Sequence, residues 1–221
     1  MVRVWLPDRP GALGAVASRI GAVRGDLVGI EILEQGGGRA IDELVVELPG
    51  PDLVELMVAE IFEVDGVDVE DVRPTAEVPD PRLDALETAA TLVSCTDGPG
   101  LVEALASQAR RVLEADWSAL VAGDGTLAAA AGSHPPAGWL RAFLEGSRSS
   151  HAVAEGQAGP EDVAWSPLAP TALTLVLGRE GRPFRTRERR QLAALARIAG
   201  ARAGELAGAR APVGAGPRPR P

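Results

Sequence analysis

The chain has 221 residues, 46% of them hydrophobic and 24% charged, a composition that suits a globular protein and gives room for two cores of ordinary size. Its formal net charge of −9 is unevenly spread: residues 1–80 hold 6 Arg against 17 Asp and Glu, a net of −11, and residues 81–221 hold 16 Arg against 14, a net of +2. The acidic first part disfavours nucleic acid and polyanionic ligands. The single cysteine, Cys95, excludes an internal disulfide, and no apolar run is long enough to span a bilayer.

In chain order, Val2, Val4 and Leu6 alternate with Arg3 and Trp5 and predict a strand. Leu13, Val16, Ala17, Ile20 and Val23 then form one helical stripe, broken by Gly25 and Asp26. Between them lies the turn Asp8-Arg9-Pro10-Gly11-Ala12-Leu13. Pro10 suits a first helical turn, and Gly11 lets another group approach the backbone. The amides of Gly11, Ala12 and Leu13 are unpaired donors at a helix start, a place that holds carboxylates, and Asp8 can take a cation. Such a turn suits a zwitterion, and it also suits a plain well-capped helix. Residues 27–34 and 40–48 read as strands joined at Gly36-Gly37-Gly38, Asp52 as the cap of a helix through Phe62, and 67–72 as a further strand.

The order β-α-β-β-α-β in about 75 residues is the split-βαβ, ferredoxin-like arrangement. With Asp8-Arg9-Pro10-Gly11-Ala12-Leu13 at the first turn and Gly25-Asp26 opening the second strand, residues 1 to 76 resemble the ACT domain family. The resemblance implies a regulatory domain that binds an amino acid at a dimer interface. Asp8, Pro10, Gly11, Ala12 and Leu13 would hold the ligand, and Asp26 would help from the partner chain. Family members with clear ligand sites often carry Asn at the polar positions, and this chain has none. Other members bind nothing and serve as dimerisation modules.

The Pro-rich stretch 74–81 predicts a linker at 77–84. Beyond it, Leu83, Leu86, Ala90 and Val93 predict one helix, and Asp97-Gly98-Pro99 opens a second with Leu101, Leu105, Ala109 and Val112 on its stripe. Residues 117–122 and 126–131 read as a hairpin about an Asp-Gly turn. A short helix over 136–145 carries Trp139 and Phe143, and 146–162 read as loop, with a strand at 151–154 as the alternative. Strands at 163–168 and 171–178 precede a last helix capped by Thr186. Residues 207–221 read as a disordered tail.

Residues 85–206 resemble a GAF domain, on two leading helices, the run WSALVAGDGTLAAAAG, and the closing TALTLVLGREGRPFRTRERRQLAALARIAG. The resemblance implies a central antiparallel sheet with helices packed on it, and ligand binding or dimerisation. The NKFDE-type signature of cyclic-nucleotide-binding members is absent, as is a cysteine where a bilin would attach. The expected fold class is thus α+β throughout.

Catalytic chemistry has little to stand on. His134 and His151 are isolated, Cys95 reads as a buried inert thiol, and no Ser, His and acid are grouped as a nucleophile site. No metal, cofactor or enzymatic activity is expected. Arg179, Arg182, Arg185, Arg187, Arg189 and Arg190 form a basic cluster that could meet an acidic protein partner, nucleic acid or the acidic first domain, or simply cover a turn and a helix start. The N-terminus lacks the order of a signal peptide, so a cytoplasmic location is expected. The preferred function is a non-catalytic regulatory homodimer sensing an amino acid through its first domain. The alternative is a ligand-free dimerisation module that assembles with an enzyme or regulator.

Overall fold

A computed structural model describes residues 1–75, 78–149 and 160–209. The chain is mixed α+β with two antiparallel four-stranded sheets, and it divides into two compact units. Unit 1 comprises Met1–Asp84 with Phe184–Arg190, and unit 2 the remainder.

Unit 1 runs β1 (Val2–Pro7), α1 (Ala12–Ala22), β2 (Asp26–Gly36), β3 (Arg39–Glu47), a 3-10 turn at Pro51–Leu53, α2 (Val54–Phe62) and β4 (Asp68–Val72). Its sheet order is β2-β3-β1-β4. Strand alternation sends Val2, Val4, Leu6, Ala40 and Leu44 to one face, where they pack with Val16 and Ile20 of α1 and Met57 and Ile61 of α2. Arg3, Trp5 and Glu43 point to the opposite face. β2 is an edge strand and leaves Val28, Ile30 and Ile32 exposed. Asp52 lies inside the 3-10 turn and does not cap α2, whose N-terminus has no side-chain cap.

Helix α3 (Pro81–Ser94) begins earlier than the sequence suggests, so residues 81–84 of the expected linker are helical. Asp80 explains the start: its Oδ1 accepts the amides of Arg82 and Leu83 at 3.0 Å each, and Pro81 occupies the first helical position. The expected inward stripe of this helix faces solvent. Leu83, Leu86 and Val93 are 51%, 69% and 51% exposed, and the helix buries Thr88 and Leu92 instead.

Unit 2 continues with α4 (Gly98–Val112), β5 (Trp117–Ala122), β6 (Leu127–Gly132), α5 (Ala137–Ser149), β7 (Val163–Pro167), β8 (Leu173–Gly178) and α6 (Thr186–Ala209) from Gln191 on, the first residues of α6 to Arg190 being counted with unit 1; its sheet order is β6-β5-β8-β7. Asp97 caps α4 by accepting the Gly100 amide at 2.8 Å. Ala119, Val121 and Val176 of the sheet pack with Leu140 and Leu144 of α5. Beside them runs an aromatic chain. Trp117 meets Trp139 edge-on at 6.3 Å, Trp139 stacks on Phe143 at 5.4 Å, and Phe143 meets Trp165 edge-on at 5.1 Å. α6 extends to Ala209, so the first three residues of the expected tail are helical; residues 210–221, and the alternative strand at 151–154 with His151, lie outside the described residues.

Candidate functional site

The turn between β1 and α1 is held by main-chain bonds. The Asp8 amide donates to Gly38 O at 2.9 Å, tying the turn to the start of β3, and the Arg9 amide donates to Pro7 O at 2.8 Å. The helix begins at Ala12 with Gly11 as its N-cap residue, so Pro10 lies before the helix and not in its first turn. The Ala12 amide donates to Arg9 O at 3.3 Å and is not an open donor. The amides of Gly11, Leu13 and Gly14 meet no acceptor among the described residues. The turn is therefore an open helix N-terminus, with two of the three expected amides available.

Gly11 also has a different reason to be glycine. Nothing lies within 4 Å of where a Cβ would stand, so crowding is not the constraint. Its φ of 88° is the left-handed conformation that L side chains resist. Gly11→Ala should destabilise the protein by about 1–2 kcal/mol through that conformation alone. An unchanged denaturation midpoint would contradict this account.

Asp8 and Pro10 are exposed and Leu13 is half-buried, while Ala12 packs in the core. Asp26 is exposed at the far end of the sheet, where it pairs in register with Glu47, whereas Asp8 bonds to Gly38 at the other end of β3. One chain therefore does not bring Asp26 to the Asp8 turn.

One further acid stands on the helix-bearing face of the same sheet. Asp42 on β3 stands in register between Val4 of β1 and Ile32 of β2, on the helix-bearing face, and is only 3% exposed. Its Oδ1 is buried without a hydrogen-bond partner. Burial first, and then the charge of Asp8, raise its carboxyl above the usual aspartate range. The signal was present in the sequence: Ala40, Leu44 and Val46 make an apolar face that Asp42 interrupts.

The opposite face of the unit 1 sheet carries an ion-pair network. Arg3 is 1% exposed and reaches Glu43 at 3.0 Å, Glu188 at 3.4 Å and Glu70 at 3.9 Å. Arg73 pairs with Glu43 at 2.9 Å and Asp71 at 2.7 Å. Burial pushes the Glu43 carboxyl up, but Arg3 and Arg73 outweigh it and hold the carboxyl below its usual range. Trp5 donates its indole N–H to Glu70 at 3.1 Å, and the guanidinium carbons of Arg185 and Arg39 lie 4.9 and 5.2 Å from its ring centre.

Of the outcomes open to the cluster Arg179 to Arg190, the structure shows pairing within the chain. Arg179 is buried and donates to the carbonyls of Leu113, Arg182 and Pro183. Arg182 pairs with Glu114 at 3.0 Å, Arg185 with Glu70, and Arg187 with Glu31. Arg189 donates to Phe184 O at 3.2 Å. Most of these charges are thus committed inside the chain, and Arg185 and Arg187 meet acids of its acidic first part.

Cys95 is half-buried rather than buried, with its thiol donating to Thr91 O at 3.4 Å and its carbonyl taken by Arg202. His134 bonds through Nδ1 to Pro135 O at 2.8 Å. Among the described residues, no three His, Cys, Asp or Glu are grouped to hold a metal, and no helix is long and apolar enough to cross a membrane. An apolar cleft of about 590 Å³ in unit 1 lies between Val2, Leu48, Val54, Met57 and Val72, at the end of β1 opposite Asp8.

No protein-family model and no curated protein matches the chain. Among solved structures, it is similar to the GAF domain of an Acinetobacter phosphoenolpyruvate-protein phosphotransferase, at 17% identity and TM-score 0.42, over 62% of this chain and 99% of that one. It is also similar to the photosensory core module of a Stigmatella aurantiaca phytochrome, at 11% identity and TM-score 0.42, over 80% of this chain and 42% of that one. A bacteriophytochrome from R. palustris matches at 12% identity and TM-score 0.41, over 84% and 43%. The chain spans less than half the length of the two phytochrome chains.

Proposed function

We propose that the protein is a non-catalytic regulator that senses an amino acid through an ACT-type unit 1, works as a homodimer, and carries a GAF-type unit 2 as a second sensing or relay domain. The observation that carries this proposal is the open helix N-terminus at Gly11 and Leu13 beside the exposed acid Asp8. Open amides suit a carboxylate, and the nearby acid suits an ammonium, so the two ends of a zwitterion each meet a complement. The β-α-β-β-α-β order with sheet order β2-β3-β1-β4 supports a ferredoxin-like unit 1. Two leading helices, a central antiparallel sheet and a closing helix support a GAF-type unit 2. Regulation would follow from population shift, with the ligand favouring one dimer arrangement over another.

A second function has its own support. The exposed Val28, Ile30 and Ile32 on the edge strand β2 suit a ligand-free module that docks through its sheet. A thermal-shift screen of the full chain against the twenty amino acids separates the two. At 100 times its dissociation constant, a true ligand should add about 2.7 kcal/mol to folding. If no amino acid raises the melting temperature at millimolar concentration, amino-acid sensing fails and the ligand-free module stands.

A further inference from the structure

We propose that α3 is a self-pairing surface, whose exposed apolar seam meets the same seam of a second copy with the two helices parallel about a two-fold axis. This pairing rests on the homodimer reading and gives it a surface.

The seam comes from spacing and exposure together. Leu83, Leu86, Ala90 and Val93 alternate by three and four residues along α3, the a and d positions of two successive heptads. All four are exposed, Leu83, Leu86 and Val93 at 51%, 69% and 51%, while Thr88 and Leu92 seat the other side of the helix. A helix that buries a threonine and gives two leucines to water has turned its apolar stripe away from its own core. α3 is already formed, with Asp80 holding the amides of Arg82 and Leu83 at its start. Pairing therefore does not carry the cost of making the helix.

Charge says what covers the seam. Arg82 precedes the first a position and takes g, and Glu87 follows the first d position and takes e. Both side chains are exposed, and no ion pair among the described residues holds either. In a parallel pair each g residue faces the e residue of the next heptad on the other helix. Arg82 of each copy then faces Glu87 of the other, so one two-fold axis makes two pairs of opposite sign. An antiparallel pair centred on the same helix sets Glu87 against Glu87, acid on acid. A second copy of this chain in parallel register thus supplies both the apolar stripe and the complementary flanks.

The test is sedimentation velocity on the full chain over a range of concentrations at physiological salt. The natural chain should sediment as a dimer. Leu86→Glu, at the most exposed seam position, should raise the dimer dissociation constant at least tenfold. Arg82→Glu should weaken the dimer by about tenfold, because two favourable pairs become two like-charge pairs. Adding Glu87→Arg to that variant should restore pairing to within about threefold, since the charges have changed places. Leu86→Cys in a Cys95→Ser background should join two copies by a disulfide on oxidation with diamide, because a parallel seam sets residue 86 against itself. An unchanged dissociation constant for Leu86→Glu overturns the seam and leaves a homodimer built elsewhere standing. Failure of the charge swap to restore pairing, or of the cross-link to form, overturns the parallel arrangement. A natural chain that stays monomeric at the highest concentration removes the homodimer and the seam with it.

Discussion

Arg3→Met should destabilise unit 1 by about 3–5 kcal/mol at pH 7, the ordinary result of removing one member of a buried ion-pair group. Methionine fills much of the same space, so packing is not the issue. Arg3 is almost wholly buried and faces Glu43, Glu188 and Glu70. Without the guanidinium, three carboxylates confront one another with Arg73 and Arg185 left to balance them. The pH dependence has a definite sign. Glu43 has a lowered folded-state value, so its contribution is present above the unfolded carboxyl range and is lost as pH falls through the folded one. The gap between the natural chain and the variant should therefore narrow on acidification. Amide hydrogen exchange read on β1 and β3 at pH 7 and near pH 4 measures it strand by strand. Equal protection of the two proteins at pH 7 would show that the network adds nothing.

Gly200→Ala should destabilise unit 2 by about 1–3 kcal/mol, as overpacking does. Helix propensity alone gives the opposite sign, since alanine in a helix interior is favoured over glycine by about 1 kcal/mol. Contact decides. A Cβ at Gly200 in α6 would stand 2.1 Å from the carbonyl oxygen of Ala169, a main-chain atom that cannot swing aside. Gly146 in α5 is the control, because nothing lies within 4 Å of its Cβ position. Gly146→Ala should be neutral or stabilising under the same urea titration. If Gly200→Ala behaves like Gly146→Ala, α6 does not approach Ala169 so closely.

What the sequence revealed follows from what spacing encodes. Alternation in Val2-Arg3-Val4-Trp5-Leu6 sets two faces of a strand before any fold is known, and the strand is there as Val2–Pro7. Leu83, Leu86, Ala90 and Val93 likewise specify one side of a helix. Spacing cannot say which side meets a neighbour, and α3 turns Thr88 and Leu92 inward. Gly11 could be read as a need for space or for a positive φ, and only backbone geometry separates the two. The arginines of 179–190 looked like one patch because their partners, Glu31, Glu70 and Glu114, are remote in sequence. Asp42 was legible as a break in an apolar face. Its lack of a donor was not, because that depends on what three strands and two helices fail to offer at one point.

The aromatic chain of unit 2 has an optical consequence. The protein has four tryptophans and no tyrosine, so tryptophan dominates its near-ultraviolet absorption. Three of the four, Trp117, Trp139 and Trp165, join through Phe143 in a single run of ring contacts between the sheet and α5. Fixed rings in an asymmetric setting give near-ultraviolet circular dichroism, which fades when packing loosens even while the helices and strands persist. Unit 2 thus carries its own spectroscopic gauge, one that reads the seating of α5 on β5 and β7 without a label.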